Sequence, residues 1–563
     1  MAVAEVDAQT RQNPVGTTSA TRRRVPGWTI VGVVVAAVVA GPLLALPLSF
    51  VGGDSFFEPL ARTVLPVGLR TSVLLGVGVG LCTFVVGTSL AILVSFYDFP
   101  GRKTLDWALV LPLAMPAYVL VFVVLAQYGI STPLQSNLFG AGLQIPGVRT
   151  PLGAVVILSM VLYPYVYILG RSAFMGQSRQ SIEAARSLGC SYGRAVWRVA
   201  VPLARPSLAA GVVLAVMEAL ADFGAVNLLG VQAMTAEIYR LWFGAFNEAA
   251  ALQLATVLIG LALVLVAIER LLRGRARYHQ QLGRGDAIEP RRLHGWRAFG
   301  AAVPGVALLL VVFALPAVQL VAWSIESIVD GGVASGLASQ ARNSLLLAVS
   351  AAALTVLTAT IVVYGQRTRP SRLGSGAARI ATMGYAVPGT VVAVAVFAPL
   401  IWIDRRLIDV ANGLFGTSIG LVFTGSMLGL VIAYVIRFHT LAYFSVESRM
   451  GRIEPNLDDA AQSLGADRSR VLAEVHLPLL WPGILTGALL VLVDVMKELP
   501  ATALLRPLGG DTLAIGVWEA TKDSRYDAAA LPALLIVTVG LVPVILLVRL
   551  LRGEGWTSAG ERI

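Results

Sequence analysis

Charge, cysteine, histidine and lysine are all scarce in this sequence. Of its 563 residues, 13% are charged and 56% hydrophobic, whereas an ordinary soluble domain has about 25% charged and about 45–50% apolar residues. A water-soluble protein is therefore excluded. The two cysteines and four histidines stand at no metal-ligand spacing, so they provide neither a disulfide framework nor a zinc-type site. The three lysines lie outside any GxxxxGKS/T motif, so the chain carries no nucleotide-binding loop of its own.

Long apolar runs fill most of the chain. A helix needs about 20 mostly apolar residues to cross a bilayer. Runs of that length, bounded by charges or turn residues, predict an all-α polytopic membrane protein with about 12 transmembrane helices. These runs are residues 28–50, 72–96, 105–128, 152–174, 207–230, 250–272, 298–324, 343–366, 380–402, 418–440, 483–505 and 528–551.

Basic residues are distributed unevenly between alternate loops. Counting Lys and Arg gives 32 on one side of the predicted spans and ten on the other. Cytoplasmic loops of membrane proteins carry such an excess, so we expect both termini in the cytoplasm. The net charge of +11 is then explained by the basic residues of the cytoplasmic loops, and no nucleic-acid partner is needed to account for it.

The chain also contains an internal repeat. Residues 181–211 align without gaps to residues 457–487 at an offset of 276, and Pro116 pairs with Pro388 at an offset of 272. Six predicted spans in each unit give both copies the same orientation, so the duplication is parallel. The expected organisation is a cytoplasmic N-terminal tail (1–27), a first half (28–274), a cytoplasmic Arg-rich linker (275–297), a second half (298–553) and a cytoplasmic C-terminal tail (554–563).

One cytoplasmic loop in each half follows the same pattern. The first reads EAARSLGCSYGRAVWRVAVP from residue 183, and the second reads DAAQSLGADRSRVLAEVHLP from residue 459. Both predict a helix, a turn and a second helix. We expect Ser181 and Asn456 to be the N-caps of the first helices. Gly189 and Gly465 should end these helices in the left-handed backbone conformation. Pro202 and Pro478 should end the second helices. A plain connection between two spans is the structural alternative.

These loops resemble the EAA loop of binding-protein-dependent ABC importer permeases. In that family the loop forms a coupling helix in a cleft of a cytoplasmic ATPase, so that ATP-driven closure of the ATPases moves the spans. The resemblance implies this role for Glu183, Ala184, Ala185 and Gly189 in one half, and for Asp459, Ala460, Ala461 and Gly465 in the other. Asp459 replaces the usual Glu but keeps its charge.

Two predicted spans carry acidic pairs at matching repeat positions. Glu218 and Asp222 lie in the fifth span, and Asp494 and Glu498 lie in the eleventh beside Lys497. A spacing of four residues places both acids of a pair on one helix face, where each ionised group costs about 2.5–3.5 kcal/mol at mid-membrane. Three arrangements can offset that cost: protonation of the carboxylates, pairing with a cationic side chain, or exposure to a water-filled path for a cationic substrate. We hypothesise that the five residues line a translocation path, with a structural ion network as the alternative.

The segments MEALADFGAVNLLG (217–230) and KELPATALLRPLGGDTLAIGVWE (497–519) resemble the ferric iron permeases among the ABC importers, which are fused two-half proteins. The resemblance implies import of ferric iron across the bacterial inner membrane. It also implies two partners, namely two copies of a cytoplasmic ABC ATPase and a periplasmic or surface-anchored binding protein. The chain itself is expected to bind lipid but no cofactor, because the ATPase subunit uses the ATP.

Other cargoes and other classes of protein stay open. Permeases for thiamine, polyamines, sulfate or aminoethylphosphonate share this layout. Ferric iron favours hard oxygen ligands, yet Tyr163, Tyr165 and Tyr167 are better explained by packing, and no metal ligand is assigned. An ion-coupled secondary transporter with the four acids as proton relays is a second class. A membrane enzyme is poorly supported, because the sequence has no catalytic constellation.

Overall fold

The computed structural model describes residues 27–51, 57–128, 147–273, 290–330, 336–368, 372–384, 387–417 and 419–556. The predicted N-terminal tail, most of the Arg-rich linker and most of the C-terminal tail lie outside these residues.

Helices form nearly all of the described structure. In the first half they are α1 (Gly27–Ala45), α2 (Phe57–Arg62), α3 (Val64–Phe96), α4 (Arg102–Ala108), α5 (Ala117–Tyr128), α6 (Pro151–Met175), α7 (Arg179–Ser187), α8 (Tyr192–Ala221), α9 (Gly224–Leu228), α10 (Met234–Tyr239) and α11 (Glu248–Arg273). In the second half they are α12 (Trp296–Val329), α13 (Leu337–Thr368), α14 (Arg372–Ala381), α15 (Gly389–Phe415), α16 (Met427–Met450), α17 (Pro455–Ser463), α18 (Ser469–Met496), α19 (Pro500–Leu505), α20 (Leu513–Lys522) and α21 (Tyr526–Trp556).

The two halves repeat the same elements in the same order, with α3 to α11 corresponding to α13 to α21. Equivalent polar contacts recur with them. Ser72 Oγ accepts a hydrogen bond from the Met234 amide at 3.0 Å, and Ser344 Oγ accepts one from the Leu513 amide at 2.8 Å. The two serines thus join α3 to α10 and α13 to α20, which are matching pairs of helices that lie far apart along the chain. The repeat found in the sequence is therefore also a repeat of structure.

Ten helices in the described part of the chain are long and apolar enough to cross a membrane, whereas the sequence predicts about twelve. The predicted span 105–128 is broken, because Arg102–Ala114 and Ala117–Gln127 meet at an angle of 88°. Counted together, these two segments give an eleventh span. The predicted span 380–402 is likewise divided between α14 and α15. Each break lies just before a proline, Pro116 or Pro388, where the preceding residue disfavours helical backbone.

Three long helices form the centre of each half, α3, α6 and α8 in the first and α13, α16 and α18 in the second. Gly211 of α8 lies directly against α6, since an added Cβ there would be 2.7 Å from Val166 Cα. Its repeat counterpart, Gly487 of α18, approaches Ala442 of α16 in the same way, at 3.2 Å. Helices in a bilayer associate through such close packing, because lipid supplies no hydrophobic driving force between them.

The first helix of each half packs on the opposite half. α1 contacts α13, α14 and α15, and Ala36 lies in an apolar cluster with Ala377 and Ala381 of α14. α12 likewise contacts α4 and α5 of the first half, although it packs mainly on α21 of its own half. The two halves are therefore interlocked.

The long helices that follow the two repeated loops correct two sequence expectations. Pro202 and Pro478 do not end a helix, since α8 and α18 continue through them. A π-helical turn directly precedes the proline-containing stretch of each helix. It spans Val196–Ala200 in α8 and Leu472–His476 in α18. Because a π-helical turn changes the register of the backbone hydrogen bonds, it accommodates a residue without an N–H group. The repeat therefore retains both the proline and the turn that tolerates it.

The predicted N-caps are wrong as well. Ser181 and Asn456 lie inside α7 and α17, whose N-cap residues are Ser178 and Glu454. Sequence alone leaves helix ends uncertain by a few residues.

A short parallel strand pair lies beside the first of the two repeated loops. Tyr97–Asp98 (β1), at the end of α3, pairs with Arg291–Arg292 (β2), which lies within the predicted linker. The Arg291 guanidinium also stands 5.9 Å from the centre of the Tyr192 ring, at the start of α8. The chain that enters the second half is thus fixed against the first.

Candidate translocation cavity and coupling loops

A cavity of about 130 Å³ lies between the two halves. Its walls come from the ends of α8 and α18, from α6 and α16, and from the break before α5. All five residues predicted for a translocation path line it: Glu218, Asp222, Asp494, Lys497 and Glu498. The structure therefore brings together acids that lie 276 residues apart in the sequence.

The acids of each pair do not share one helical face, contrary to the sequence expectation. α8 ends at Ala221 and α18 at Met496, so Asp222 and Glu498 stand beyond the helix ends. Asp222 Oδ1 accepts the Ala225 amide at 2.8 Å. Glu498 Oε1 accepts the Ala501 amide at 3.1 Å.

Each outer acid therefore caps the short helix that follows it, α9 or α19. A carboxylate is favourable beside the free N–H groups at a helix start. This cap offsets part of the cost of placing charge in the membrane and lessens the repulsion expected within each pair.

Two ion pairs lie in the cavity wall. Lys497 Nζ lies 2.8 Å from Asp494 Oδ1, within one helix turn. Arg437 Nη1 of α16 lies 3.2 Å from Glu498 Oε1, and both of these side chains are largely buried. Sequence reasoning missed Arg437, because the predicted span 418–440 placed it at a cytoplasmic helix end. In the structure α16 extends to Met450, so Arg437 lies in the middle of that helix.

The tyrosines near the cavity have different roles. Tyr118 and Tyr165 line it. The Tyr163 hydroxyl instead donates to the Leu109 carbonyl at 2.9 Å, and the Tyr167 hydroxyl donates to the Asp106 carbonyl at 2.8 Å. Tyr163 and Tyr167 therefore fasten α6 to the segment around α4.

Tight contacts between the halves border the cavity. Gly224, two residues after Asp222, allows the Leu499 side chain to approach, since an added Cβ would be 2.6 Å from Leu499 Cδ2. The Phe223 ring packs on Trp518 of α20 with ring centres 5.6 Å apart. Among the described residues, no group of three or more His, Cys, Asp and Glu side chains is placed to hold a metal ion. The cavity therefore presents charged groups, and its described lining holds no preformed coordination shell.

The two repeated loops have the same geometry. Gly189 follows α7 with φ +87°, and Gly465 follows α17 with φ +85°, which is the left-handed backbone expected from the sequence. Nothing lies within 4 Å of a Cβ placed on either glycine. The neighbouring Leu188 and Leu464 are 87% and 88% exposed. Sequence reasoning missed this leucine, although the shared SLG triplet of the two loops contains it.

The other predicted coupling residues also match between the loops. Glu183 and Ala184 are exposed and Ala185 is half-buried, and Asp459, Ala460 and Ala461 repeat this order. The Glu183 carboxylate pairs with Arg179 one turn earlier on α7. Each loop thus presents a small, exposed face beside an exposed leucine.

The loops differ in how they are anchored. Ile182 of α7 is 3% exposed and packs in an apolar cluster. Its repeat counterpart Asp458 instead accepts a hydrogen bond from Arg367 Nε at 3.0 Å and lies 2.7 Å from His476 Nε2. Burial by itself raises the pKa of Asp458, but the hydrogen bonds from His476 and Arg367 outweigh it and hold the pKa below its usual range. One loop is therefore held by apolar contact and the other by a charged cluster.

We expect Asp458→Ala to destabilise the protein by about 1–3 kcal/mol, because it leaves the buried His476 and Arg367 without their shared partner. Thermal unfolding of the purified protein in detergent measures this loss. The triple variant Asp458→Ile, His476→Ala, Arg367→Ser copies Ile182, Ala200 and Ser95 of the first half and should recover part of it. Because the pKa of Asp458 is lowered, its contribution is present above about pH 4 and is lost at lower pH. Equal stability of wild type and Asp458→Ala would contradict the anchoring role.

These features define a class of protein: a polytopic membrane protein with two parallel helical repeats around a charged central cavity. The profile of the family described as "binding-protein-dependent transport system inner membrane component" matches residues 83–278 and 363–553, once in each half. The chain therefore belongs to this family of ABC transporter permeases.

Individual relatives cover either the whole chain or one half. The Fe(3+)-transport system permease protein FbpB 2 of Haemophilus influenzae is 28% identical over 535 residues, which cover 93% of this chain and 98% of that protein. The sulfate transport system permease protein CysW of Escherichia coli is 30% identical over 36% of this chain and 70% of its own length. A probable molybdenum ABC transporter permease protein of Haloferax volcanii is 32% identical over 31% of this chain and 64% of its own length.

Proposed function

We propose that this chain is the permease subunit of an ATP-driven importer of ferric iron. The observation that carries the proposal is the central cavity, where four carboxylates from both halves face two basic groups. This excess of negative charge suits a cation, and hard carboxylate oxygens suit ferric iron in particular. The name and full-length match of the Haemophilus influenzae relative support the same cargo.

The energy source lies outside this chain in the proposal. Two copies of a cytoplasmic ATPase dock on the two loops, one on Glu183, Ala184, Ala185 and Gly189, and one on Asp459, Ala460, Ala461 and Gly465. The exposed Leu188 and Leu464 supply an apolar contact for each copy. ATP binding closes the ATPase pair, draws the loops together and opens the cavity towards a periplasmic or surface-anchored binding protein. ATP hydrolysis then returns the permease to the state in which the cavity opens towards the cytoplasm.

The proposal includes the topology expected from the sequence. Residues 28–274 and 298–553 form the two permease halves, and residues 275–297 link them in the cytoplasm. Both termini lie in the cytoplasm, and the chain spans the bacterial inner membrane. The excess of arginine and lysine on the loop side supports this orientation, although Arg437, counted there from the sequence, lies in the cavity wall.

An oxyanion is the second candidate cargo. The sulfate and molybdenum relatives and the two basic groups, Arg437 and Lys497, favour it. Both bases already face a carboxylate in the cavity, however, so neither is left as a free anion site. Thiamine, polyamines and aminoethylphosphonate are further alternatives with the same fold.

Uptake of labelled solutes by the native host tests the cargo. A strain that lacks this chain should accumulate radioactive ferric iron at a small fraction of the wild-type rate, and expression of the chain should restore the rate. Uptake of labelled sulfate and molybdate should not change. If the strain lost sulfate or molybdate uptake but kept normal iron uptake, the result would reject ferric iron as the cargo and support an oxyanion.

A further inference from the structure

Both basic groups of the cavity come from the second half. The offset of 276 that aligns the two loops also aligns Arg437 with Val161 and Lys497 with Ala221. Val161 and Ala221 line the same cavity. The duplicated helices have thus kept four acids but carry bases on one side only. Two carboxylates have no matching basic group within the cavity lining.

The two basic groups differ in how firmly they are held. Arg437 is wedged against the start of α15, because a Cβ on Gly389 would overlap its guanidinium and lie 2.6 Å from Glu498 Oε1. Lys497 is one-third exposed. Its ammonium is carried on a flexible four-carbon stem. Arg437 is therefore a fixed charge and Lys497 a movable one.

Lys497 shares the cavity with carboxylates of both halves. Its ammonium pairs with Asp494 of its own helix, and Glu218 of the first half lines the same cavity. Within the described residues, the Glu218 carboxylate makes no hydrogen bond and no ion pair. Glu218 is consequently the acid of the quartet most available to a passing cation.

We propose that Lys497 is a tethered cation that competes with the cargo for the carboxylates of Glu218 and Asp494. This inference rests on the proposed function, in that the cargo is cationic. A path conducts only if its sites bind weakly enough to release the ion. Four carboxylates without a competing charge would retain a trivalent cation. The Lys497 ammonium returns to these carboxylates as the cation leaves, so its release does not leave both of them without a counter-charge.

Terbium binding to the purified protein in lipid nanodiscs tests this competition. Tb³⁺ is a soluble trivalent cation that prefers oxygen ligands, and its luminescence is sensitised by nearby tyrosine. The variant Lys497→Ala copies Ala221 of the first half, and Lys497→Arg keeps the charge. The matched control is Lys522→Ala, which removes an equal charge from an exposed position beside Trp518, outside the cavity lining. Gel filtration and thermal unfolding check that each variant is folded.

Lys497→Ala should tighten Tb³⁺ binding at least about tenfold, since it removes a positive charge next to the site. Lys497→Arg and Lys522→Ala should bind as the wild type does. Adding Glu218→Gln and Asp494→Asn to Lys497→Ala should abolish the gain. If Lys497→Ala misfolds, Lys497→Gln serves in the same comparison.

Unchanged binding in a folded, neutral Lys497 variant would overturn the proposal. This result is separable from failure of the proposed function. A chain that imports another solute would fail the iron uptake test, yet the terbium comparison would still read out the competition. Conversely, normal iron import with no effect of Lys497 on terbium binding would reject the tethered cation alone.

Discussion

Replacing Gly189 and Gly465 together by tryptophan should abolish uptake while leaving the chain in the membrane. Both glycines have positive φ, where a residue with a Cβ is strained by about 1–2 kcal/mol. Nothing in the described structure lies within 4 Å of a Cβ placed on either glycine, so a bulky side chain would project into the surface on which we propose that the ATPase docks. A loss of about 1.4 kcal/mol in docking already lowers association tenfold. Transport assays and membrane fractionation measure the two effects.

Asparagine at the same positions is the matched control. It tolerates left-handed backbone better than other residues with a side chain, and it is much smaller than tryptophan. Gly189→Asn with Gly465→Asn should therefore keep most of the uptake. Copurification of the ATPase should fall with tryptophan and persist with asparagine. Normal uptake in the tryptophan variant would reject the coupling role of both loops.

Neutralising the inner acids should give the second large effect. We expect Glu218→Gln with Asp494→Asn to reduce iron uptake at least about tenfold, because these carboxylates face the cavity without capping a helix. Protein abundance should stay near the wild-type level, since both replacements preserve the shape of the side chain. Uptake normalised to the immunoblot signal in membranes measures the difference.

The outer acids provide a contrast to this result. Asp222→Asn keeps an oxygen that accepts the amide of Ala225, so the cap of α9 survives and only the charge is lost. Asp222→Ala removes the cap as well and should lower abundance, because loss of a helix cap costs about 1 kcal/mol. Equal falls of uptake and abundance for the inner pair would mean that these acids form a structural ion network.

The sequence indicated the repeat, the two loops and the four acids of the cavity, because each depends on a pattern that occurs twice. Matching positions such as Gly189 and Gly465 carry information that a single loop lacks. The helix breaks were harder to locate. Apolar residues continue past Asp222 into FGAVNLL, so a hydropathy window registers one long span where the backbone turns. The same averaging hid the breaks before Pro116 and Pro388.

The role of Arg437 could not be predicted from the sequence for a different reason. A single arginine near the end of an apolar run is normally a cytoplasmic anchor, and no repeat partner marks it, since its counterpart is Val161. Only the packing of α16 against the end of α18 places its guanidinium beside Glu498. The charged anchor at Asp458 was hidden for a similar reason. Its partners Arg367 and His476 are distant in sequence, and the first half has apolar or small residues instead.

Transport by reconstituted vesicles tests the central claim most directly. The chain is incorporated into proteoliposomes with its ATPase, and the loaded binding protein is supplied on the face that receives cargo. Accumulation of radioactive iron should require ATP, the ATPase and the binding protein together, and should be lost in the Gly189→Trp, Gly465→Trp variant. Accumulation by the chain alone under a proton gradient, without ATPase, would contradict the account and identify an ion-coupled transporter.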